Sequence, residues 1–372
     1  MLDVGSYAEA LEAWLASEPA AVRAAATPIP SYERRVGAMT ALMEALFDEG
    51  WARYGWPEDL GGLGGTIMHR AHMWHALARH GVPGMALFEH LEILAPVLAS
   101  MGPAPFVADA LPQYLAGRQL WCQGFSEPGA GSDLASLRTR ASAVDGGYLI
   151  NGRKIWTSWA RYATWCLLLA RTGPPDSRHR GLTAFIVDVR DPGVDVSAIV
   201  QANGTDELAE VAFDDVFVPA ERIVGELDGG WRVALHILGH ERGTFAWFRH
   251  CFLYQHLRDC LPDATAKDDA ALGGVLLDLA TVTATGHASL QAHAEGVPLG
   301  PLAAYPKLLL CAAEQSTYDW VLASDPDITL DLDVDELAVR RQEYLFSRIV
   351  TVYGGSQQMQ LETIAKQILQ LP

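Results

Sequence analysis

The sequence predicts an α+β chain that is mostly helical: a helical segment over 1–118, a β-rich segment over 119–226, and a helical bundle over 227–372. Three observations carry this. Apolar residues recur at three- and four-residue intervals on both sides of the middle region. The middle breaks into short β-prone runs bounded by Gly, Pro and Asp. No strand–helix alternation appears, so a Rossmann arrangement is excluded and a small antiparallel barrel or sandwich is expected there. The 372 residues suffice for two or three domains, and a hydrophobic fraction of 50% supplies the core.

In the N-terminal segment the spacing predicts helices over 7–15, 34–51, 67–80 and 83–100. The loop holding Tyr54-Gly55-Trp56-Pro57 and Gly61-Gly62-Leu63-Gly64-Gly65 separates two of them. The helix over 67–80 carries His69, His72, His75 and His80 without a carboxylate among them, which reads as a solvated or partly packed face rather than a metal site. Glu89, His90 and Glu92 interrupt an otherwise apolar helix. Burying an unpaired carboxylate is costly, so either these residues face water or one meets a polar group of a ligand.

The stretch 121–160 organises the chain. It opens with strand-like residues and breaks at Glu127-Pro128-Gly129-Ala130-Gly131-Ser132-Asp133. Such a loop can lay backbone N–H groups against an electron-rich ligand or an anion. Asp145-Gly146-Gly147 and Asn151-Gly152 read as hairpin punctuation. Trp156, Thr157 and Ser158 then set an aromatic face beside two hydroxyls. Further strand-like runs extend to about residue 224.

From 229 the chain turns helical again, with one run expected to continue to the break at Pro262-Asp263. Helices over 270–293, 302–323, 336–352 and 357–371 follow. The acidic stretch 325–335 lacks the Gly and terminal Glu of a calcium loop and reads as solvated. The net charge of −18, with no basic run, argues against nucleic acid. No apolar run is long enough to span a membrane, and no basic-then-apolar leader is read at the start. Five cysteines without metal-like spacing suit reduced thiols, and so a cytoplasmic setting.

The segments SEPGAGSD and GRKIWTS together resemble the acyl-CoA dehydrogenase family, which holds FAD with these two stretches. The resemblance implies that family's fold. It also implies that Gln123, Phe125, Ser126, Gly131, Ser132, Trp156, Thr157 and Ser158 serve the cofactor. The backbone from Phe125 to Ser126 would meet the flavin pyrimidine edge, Trp156 would pack on the ring, and Ser158 would bond N5. Ser132 would also touch the acyl-CoA, and Gly355, Ser356 and Gln358 match the family's last FAD-contacting loop. The helix holding Glu89 stands where the family lines its acyl pocket.

Desaturating an acyl thioester needs a base for the α-proton, donors for an enolate-like oxygen, and a hydride acceptor. A carboxylate in a dry pocket suits the first role, because desolvation raises its basicity. Many family members carry the base in a Tyr-Glu-Gly-Thr loop near the C-terminus. This chain reads Tyr353-Gly354-Gly355-Ser356, with the carboxylate absent and the Gly354 N–H kept as an oxyanion donor. A second branch, the actinobacterial type, carries the base on a helix, followed by Arg; Glu241-Arg242 stands at the matching place. Glu241 is therefore expected as base, with Arg242 and Gly354 toward the substrate. The plain alternative is a surface Glu-Arg pair. His236 and His240 lack the order and third ligand of a metal helix.

The resemblance implies oxidation of an acyl-CoA to the 2-enoyl thioester, with electrons passed to an electron-transfer flavoprotein. A flavin oxidase or monooxygenase on the same fold, and a mainly structural subunit of a heteromeric enzyme, are the competing readings. Two departures stand out. Trp159 puts bulk where the family has a small residue, near the flavin. The family's Arg and Gln that reach a neighbouring subunit's FAD have no clear counterpart. Residues 259–281 offer one cation, Lys267, among Asp259, Asp263, Asp268, Asp269 and Asp278. A hetero-oligomer with a related chain would supply the missing cations. In a homo-oligomer, Arg249 or Lys307 would have to take over.

Overall fold

The chain begins with helices α1 (Val4–Ala16), α2 (Ala20–Ala26), α3 (Tyr32–Asp48), α4 (Ile67–Arg79), α5 (Ala86–Met101) and α6 (Ala104–Leu115). The computed structural model describes residues 1–84, 86–242, 244–261, 269–330 and 334–372, with the side chains of 86–89, 269 and 326 set aside. The expected N-terminal helices form within a few residues of their predicted ends. Helix α2 gave no periodic signal, because it is seven residues of mostly alanine. Its only buried side chains are Val22 and Ala25.

The middle segment supplies β1 (Leu120–Gly124), β2 (Arg140–Val144), β3 (Gly147–Ser158), β4 (Ala163–Arg171), β5 (Leu182–Asp188), β6 (Val194–Ile199), β7 (Leu208–Pro219) and β8 (Ile223–Val224). They form one sheet in the order β6-β7-β3-β2-β4-β5-β8, with β1 on β4. Most of the pairing is antiparallel, as expected, with two parallel exceptions. β1 runs parallel to β4, and β2 meets β4 in parallel at Arg140 and Arg171. Parallel neighbours need a long connection, and the loop plus the β2–β3 hairpin supplies it.

Asp145 and Gly146 make the expected turn, with Val144 paired to Gly147. Asn151-Gly152 does not turn the chain. It is an irregularity inside β3, with Asn151 still paired to Arg140. A side chain at Gly152 would sit 2.6 Å from the Thr139 Cα, and its φ is +150°, so glycine is required. The Asn151 side chain is spent on Asp215, donating to its Oδ1 at 2.8 Å and accepting from its N–H at 3.0 Å.

The C-terminal segment gives α7 (Gly230–Arg242), α8 (Phe245–Cys260), α9 (Asp269–Ala294), α10 (Ala304–Ser324), α11 (Asp335–Ser347) and α12 (Gln357–Thr363). The run expected to continue to Pro262 is thus two helices, the first ending at Arg242. The helix expected over 336–352 stops at Ser347, and the closing helix passes into a π-helical turn at Ile364–Ile368. Pro262, Asp263, Lys267, Asp268 and residues 331–333 lie outside the described residues.

Two compact units result. One takes Met1–Glu58, Gly62–Ile93 and Leu238–Pro372; the other takes Asp59–Gly61 and Leu94–Ile237. In the first, α4 packs on α1, α8 and α9, and α10 packs on α8, α9 and α12. Helices from both ends of the sequence therefore share a core. Trp74 of α4, for example, meets Phe248 and Phe252 of α8 edge-on at 6.2 and 6.1 Å. In the second, the sheet buries Cys122, Ile150, Leu168, Phe185, Val211 and Val216 in one cluster.

Candidate active site

In the sheet-containing unit, the loop after β1 is tied to β3 at three points. The Lys154 ammonium donates to the Phe125 carbonyl at 3.0 Å and to Glu127 Oε1 at 2.9 Å. The Ile155 N–H donates to the Ser126 carbonyl at 3.0 Å. The Glu127 carboxylate also accepts from the backbone N–H groups of Arg138, at 2.7 Å, and Thr139, at 2.8 Å. Lys154 is fully buried, and burial pulls its pKa down to about 8 against the pull of Glu127. Burial pushes the Glu127 carboxyl up, but Lys154 and Thr139 outweigh it and hold the group below its ordinary value. The two motifs are one assembly, and its centre is an ion pair with almost no access to water.

Just beyond Lys154 the pairing of β3 with β7 slips between Lys154 and Thr157. Trp156 sits in this bulge with φ +60° and an indole 57% exposed. Bulges re-aim side chains, and a bulky residue at positive φ is strained. Thr157 is buried, and its Oγ1 has no hydrogen-bond partner among the described residues. Ser158 is half-buried, paired with Leu208 at the end of β3. Gln123 and Ser126 are half-buried, Phe125 is buried, and Gly131 and Ser132 are exposed. Trp159 is buried, and its backbone N–H donates to the Glu207 carbonyl at 2.8 Å.

In the helical unit, Glu241 and Arg242 close α7 and meet the turn after α11. A Cβ at Gly354 would lie 3.1 Å from Glu241 Oε1, and φ there is +67°. The carboxyl thus lies tightly against the point where a side chain at position 354 would begin. Burial raises the Glu241 pKa, and Lys307 and Arg242 oppose it. The plain reading of a solvated surface pair does not hold: both residues are partly buried, and burial also lowers the pKa of Arg242. Arg242 Nε donates to the Gly354 carbonyl at 3.4 Å.

The last loop divides its expected roles. Ser356 caps α12, accepting from the Met359 N–H at 3.3 Å. Gln358 is exposed. Gln360, two residues on and so on another face of the helix, is buried and donates to the Gly354 and Gly355 carbonyls at 3.4 and 3.1 Å. It was not singled out from sequence, nor was the Glu127–Lys154 pair, and Lys307 was named only as a cation for a neighbour's cofactor. The usable signal for Lys307 was a lone cation in an apolar run.

Other expectations resolve into structural roles. Glu92 is spent within the protein: its carboxylate accepts from Arg70 Nε at 2.8 Å and Trp74 Nε1 at 3.0 Å. Arg70 in turn donates to the Gly55 carbonyl at 2.6 Å and covers the Trp56 ring, so Glu92 braces the glycine-rich loop. The side chain of Glu89 lies outside the described residues. His69 accepts from the Thr66 N–H at 3.1 Å and stacks on Tyr54, while His80 pairs with Glu12 at 2.9 Å. Burial lowers the pKa of His72 and His75. No helix among the described residues is long and apolar enough to cross a membrane.

Comparison with known proteins gives the family. Residues 11–118 match the acyl-CoA dehydrogenase N-terminal domain, and residues 122–216 the middle domain. Acyl-CoA dehydrogenase IpdE1 of Mycobacterium tuberculosis is 34% identical over all of this chain and 99% of its own length. The Tcur3481-Tcur3483 steroid acyl-CoA dehydrogenase superposes with a TM-score of 0.80 at 26% identity, covering 99% of this chain and 97% of the other. The ChsE4-ChsE5 complex of Mycobacterium tuberculosis does so with a TM-score of 0.77 at 26% identity, covering 99% and 97%. The chain belongs to the acyl-CoA dehydrogenase family.

Proposed function

We propose that the protein oxidises an acyl-CoA thioester to the trans-2-enoyl-CoA, with Glu241 as base and FAD as cofactor. The observation that carries this is the Glu241 carboxyl, partly buried, raised in pKa by burial, and set against Gly354. The carboxylate accepts the α-proton and becomes neutral, a change that burial favours. The Gly354 N–H is the donor offered to the thioester oxygen as negative charge grows there. Arg242 bonds the Gly354 carbonyl, which belongs to the following peptide, and so helps to fix the turn that carries this N–H.

The sheet-containing unit has features suited to a flavin: an exposed indole at Trp156, a buried hydroxyl without a partner at Thr157, and a tethered Phe125–Ser126 backbone. When bound, FAD supplies the two-electron acceptor for the hydride that leaves the β-carbon. We assign Gln123, Ser126, Gly131, Ser132, Ser158, Gly355, Ser356 and Gln358 to cofactor or substrate contacts on the resemblance alone. Electrons then pass to an electron-transfer flavoprotein in a cytoplasmic setting.

A hetero-oligomer fits better than a homo-oligomer. The two cations that could have served a neighbour's pyrophosphate are committed elsewhere. Arg249 donates to both oxygens of Glu314, at 3.1 and 2.9 Å, and Lys307 is buried against Tyr353. Two structural neighbours, Tcur3481-Tcur3483 and the ChsE4-ChsE5 complex, are each named as a pair. The test is the absorbance spectrum of the purified chain, expressed alone and with a related chain. It is recorded before and after adding a panel of acyl-CoAs that includes steroid-derived ones, the class named for one neighbour. Flavin absorbance that bleaches with an acyl-CoA supports the reading. Protein that takes up no flavin in either form contradicts it.

A further inference from the structure

We propose that Lys307, buried and stacked on Tyr353, is a positioning residue that keeps Glu241 in its carboxylate form and anchors the Tyr353-Gly354 turn against it. This rests on the reading of Glu241 as base. Lys307 stands on α10 in the run Tyr305-Pro306-Lys307-Leu308-Leu309-Leu310 and is 2% exposed. Lysine is almost never buried this far without a partner. Yet its Nζ has no hydrogen-bond partner among the described residues. What it has is a ring: Nζ lies 3.9 Å from the Tyr353 centroid, well inside cation–π range.

An ammonium in such a place also needs a negative charge nearby. Burial pulls the Lys307 pKa down and Arg249 adds to that, while Cys311, Glu241 and Glu314 oppose it and favour the ammonium. Glu314 is already taken, because both its oxygens accept from Arg249. Cys311 donates to the Val350 carbonyl at 3.2 Å. Glu241 is the carboxylate left for Lys307. Tyr353 links them, since the next residue, Gly354, faces Glu241 Oε1. Ammonium, ring, turn and carboxyl form one chain of neighbours within the helical unit.

The physical consequence is a compromise. Burial makes Glu241 a stronger base, but it also favours the protonated form, which cannot accept. Lys307 and Arg242 are the cations that face it and hold the charge in place. Removing Lys307 should leave a carboxyl that is neutral over more of the neutral pH range.

The test uses the flavin-loaded protein as parent, Lys307→Met and Lys307→Arg. The ionisation of Glu241 is followed by the infrared carbonyl band of the protonated acid, identified by its absence in Glu241→Gln. The midpoint should rise by about one pH unit or more in Lys307→Met, roughly a tenfold loss of carboxylate on the acid side, and return toward the parent in Lys307→Arg. The acid limb of kcat/KM should follow. An unchanged midpoint in Lys307→Met overturns the proposal. If Lys307→Met does not fold, Lys307→Gln, polar and neutral, gives the same two readings. Full turnover in Glu241→Gln would remove the base reading, while the infrared titration would still decide what Lys307 does.

Discussion

The ligand-holding part of the sheet unit and the acid–base cluster of the helical unit are built in opposite ways. The first is made from two sequence motifs, locked by a buried ion pair between Glu127 and Lys154 and by two backbone contacts. The second is collected from three distant stretches: Glu241-Arg242, Lys307, and the turn from Tyr353 to Gln360. A part built from neighbours can be recognised by its motif and fails mainly through loss of ordering. A part built from distant residues fails through loss of a charge or a few tenths of an ångström. The following changes separate the two kinds of failure.

The largest effect is expected at Glu241. Glu241→Gln should slow bleaching of the flavin by acyl-CoA by roughly three orders of magnitude while flavin content per chain stays at the parent level. Because burial raises its pKa, the acid limb of parent kcat/KM should lie above the ~4.3 of a free glutamate, with activity present above that midpoint and lost as pH falls through it. The stability sign is the reverse. An ionised carboxyl with a raised folded pKa costs stability once pH climbs past its unfolded value. Glu241→Gln should therefore melt no lower than the parent at neutral pH.

Lys154→Met should do the opposite. It leaves Glu127 buried without its cation, at a cost of about 3–5 kcal/mol in denaturant unfolding, and flavin content should fall with it. Full flavin occupancy with parent stability would mean that the ion pair does not organise the loop.

Gly354→Ala is smaller and confined to the second part. The positive φ costs about 1–2 kcal/mol, and the new methyl group presses on the Glu241 carboxyl. Turnover should drop with the flavin spectrum intact. Trp156→Ala should be smallest in stability, within about 0.5 kcal/mol, since most of the indole is already exposed. Weaker flavin retention on dialysis would assign the ring to the cofactor, and unchanged retention would free it of that role.

What was legible in the sequence follows the same division. Periodicity located most helices, because their buried faces are regular. It missed α2, which is too short to have a period, and α6, and it ran α7 into α8, because the residues flanking the break are helix formers on both sides. The strands were legible, but the parallel β1–β4 pairing was not: it depends on which strands meet, and no local pattern records that. Asn151-Gly152 was read as a turn because the dipeptide chemistry of a turn and of a bulge is the same. Glu92 was read as open to a ligand because its partners, Arg70 and Trp74, lie on another helix. Lys307 was visible as an odd residue in an apolar run, but only its place over Tyr353 gives it a role.

The central claim is that Glu241 removes the α-proton, and one measurement isolates that step from electron transfer. The flavin-loaded protein is mixed with a saturated acyl-CoA in deuterated water, and exchange at the α-carbon is followed by NMR in the parent and in Glu241→Gln. The account predicts exchange in the parent and, in the variant, exchange slower by roughly three orders of magnitude. Equal exchange in the two proteins would contradict it.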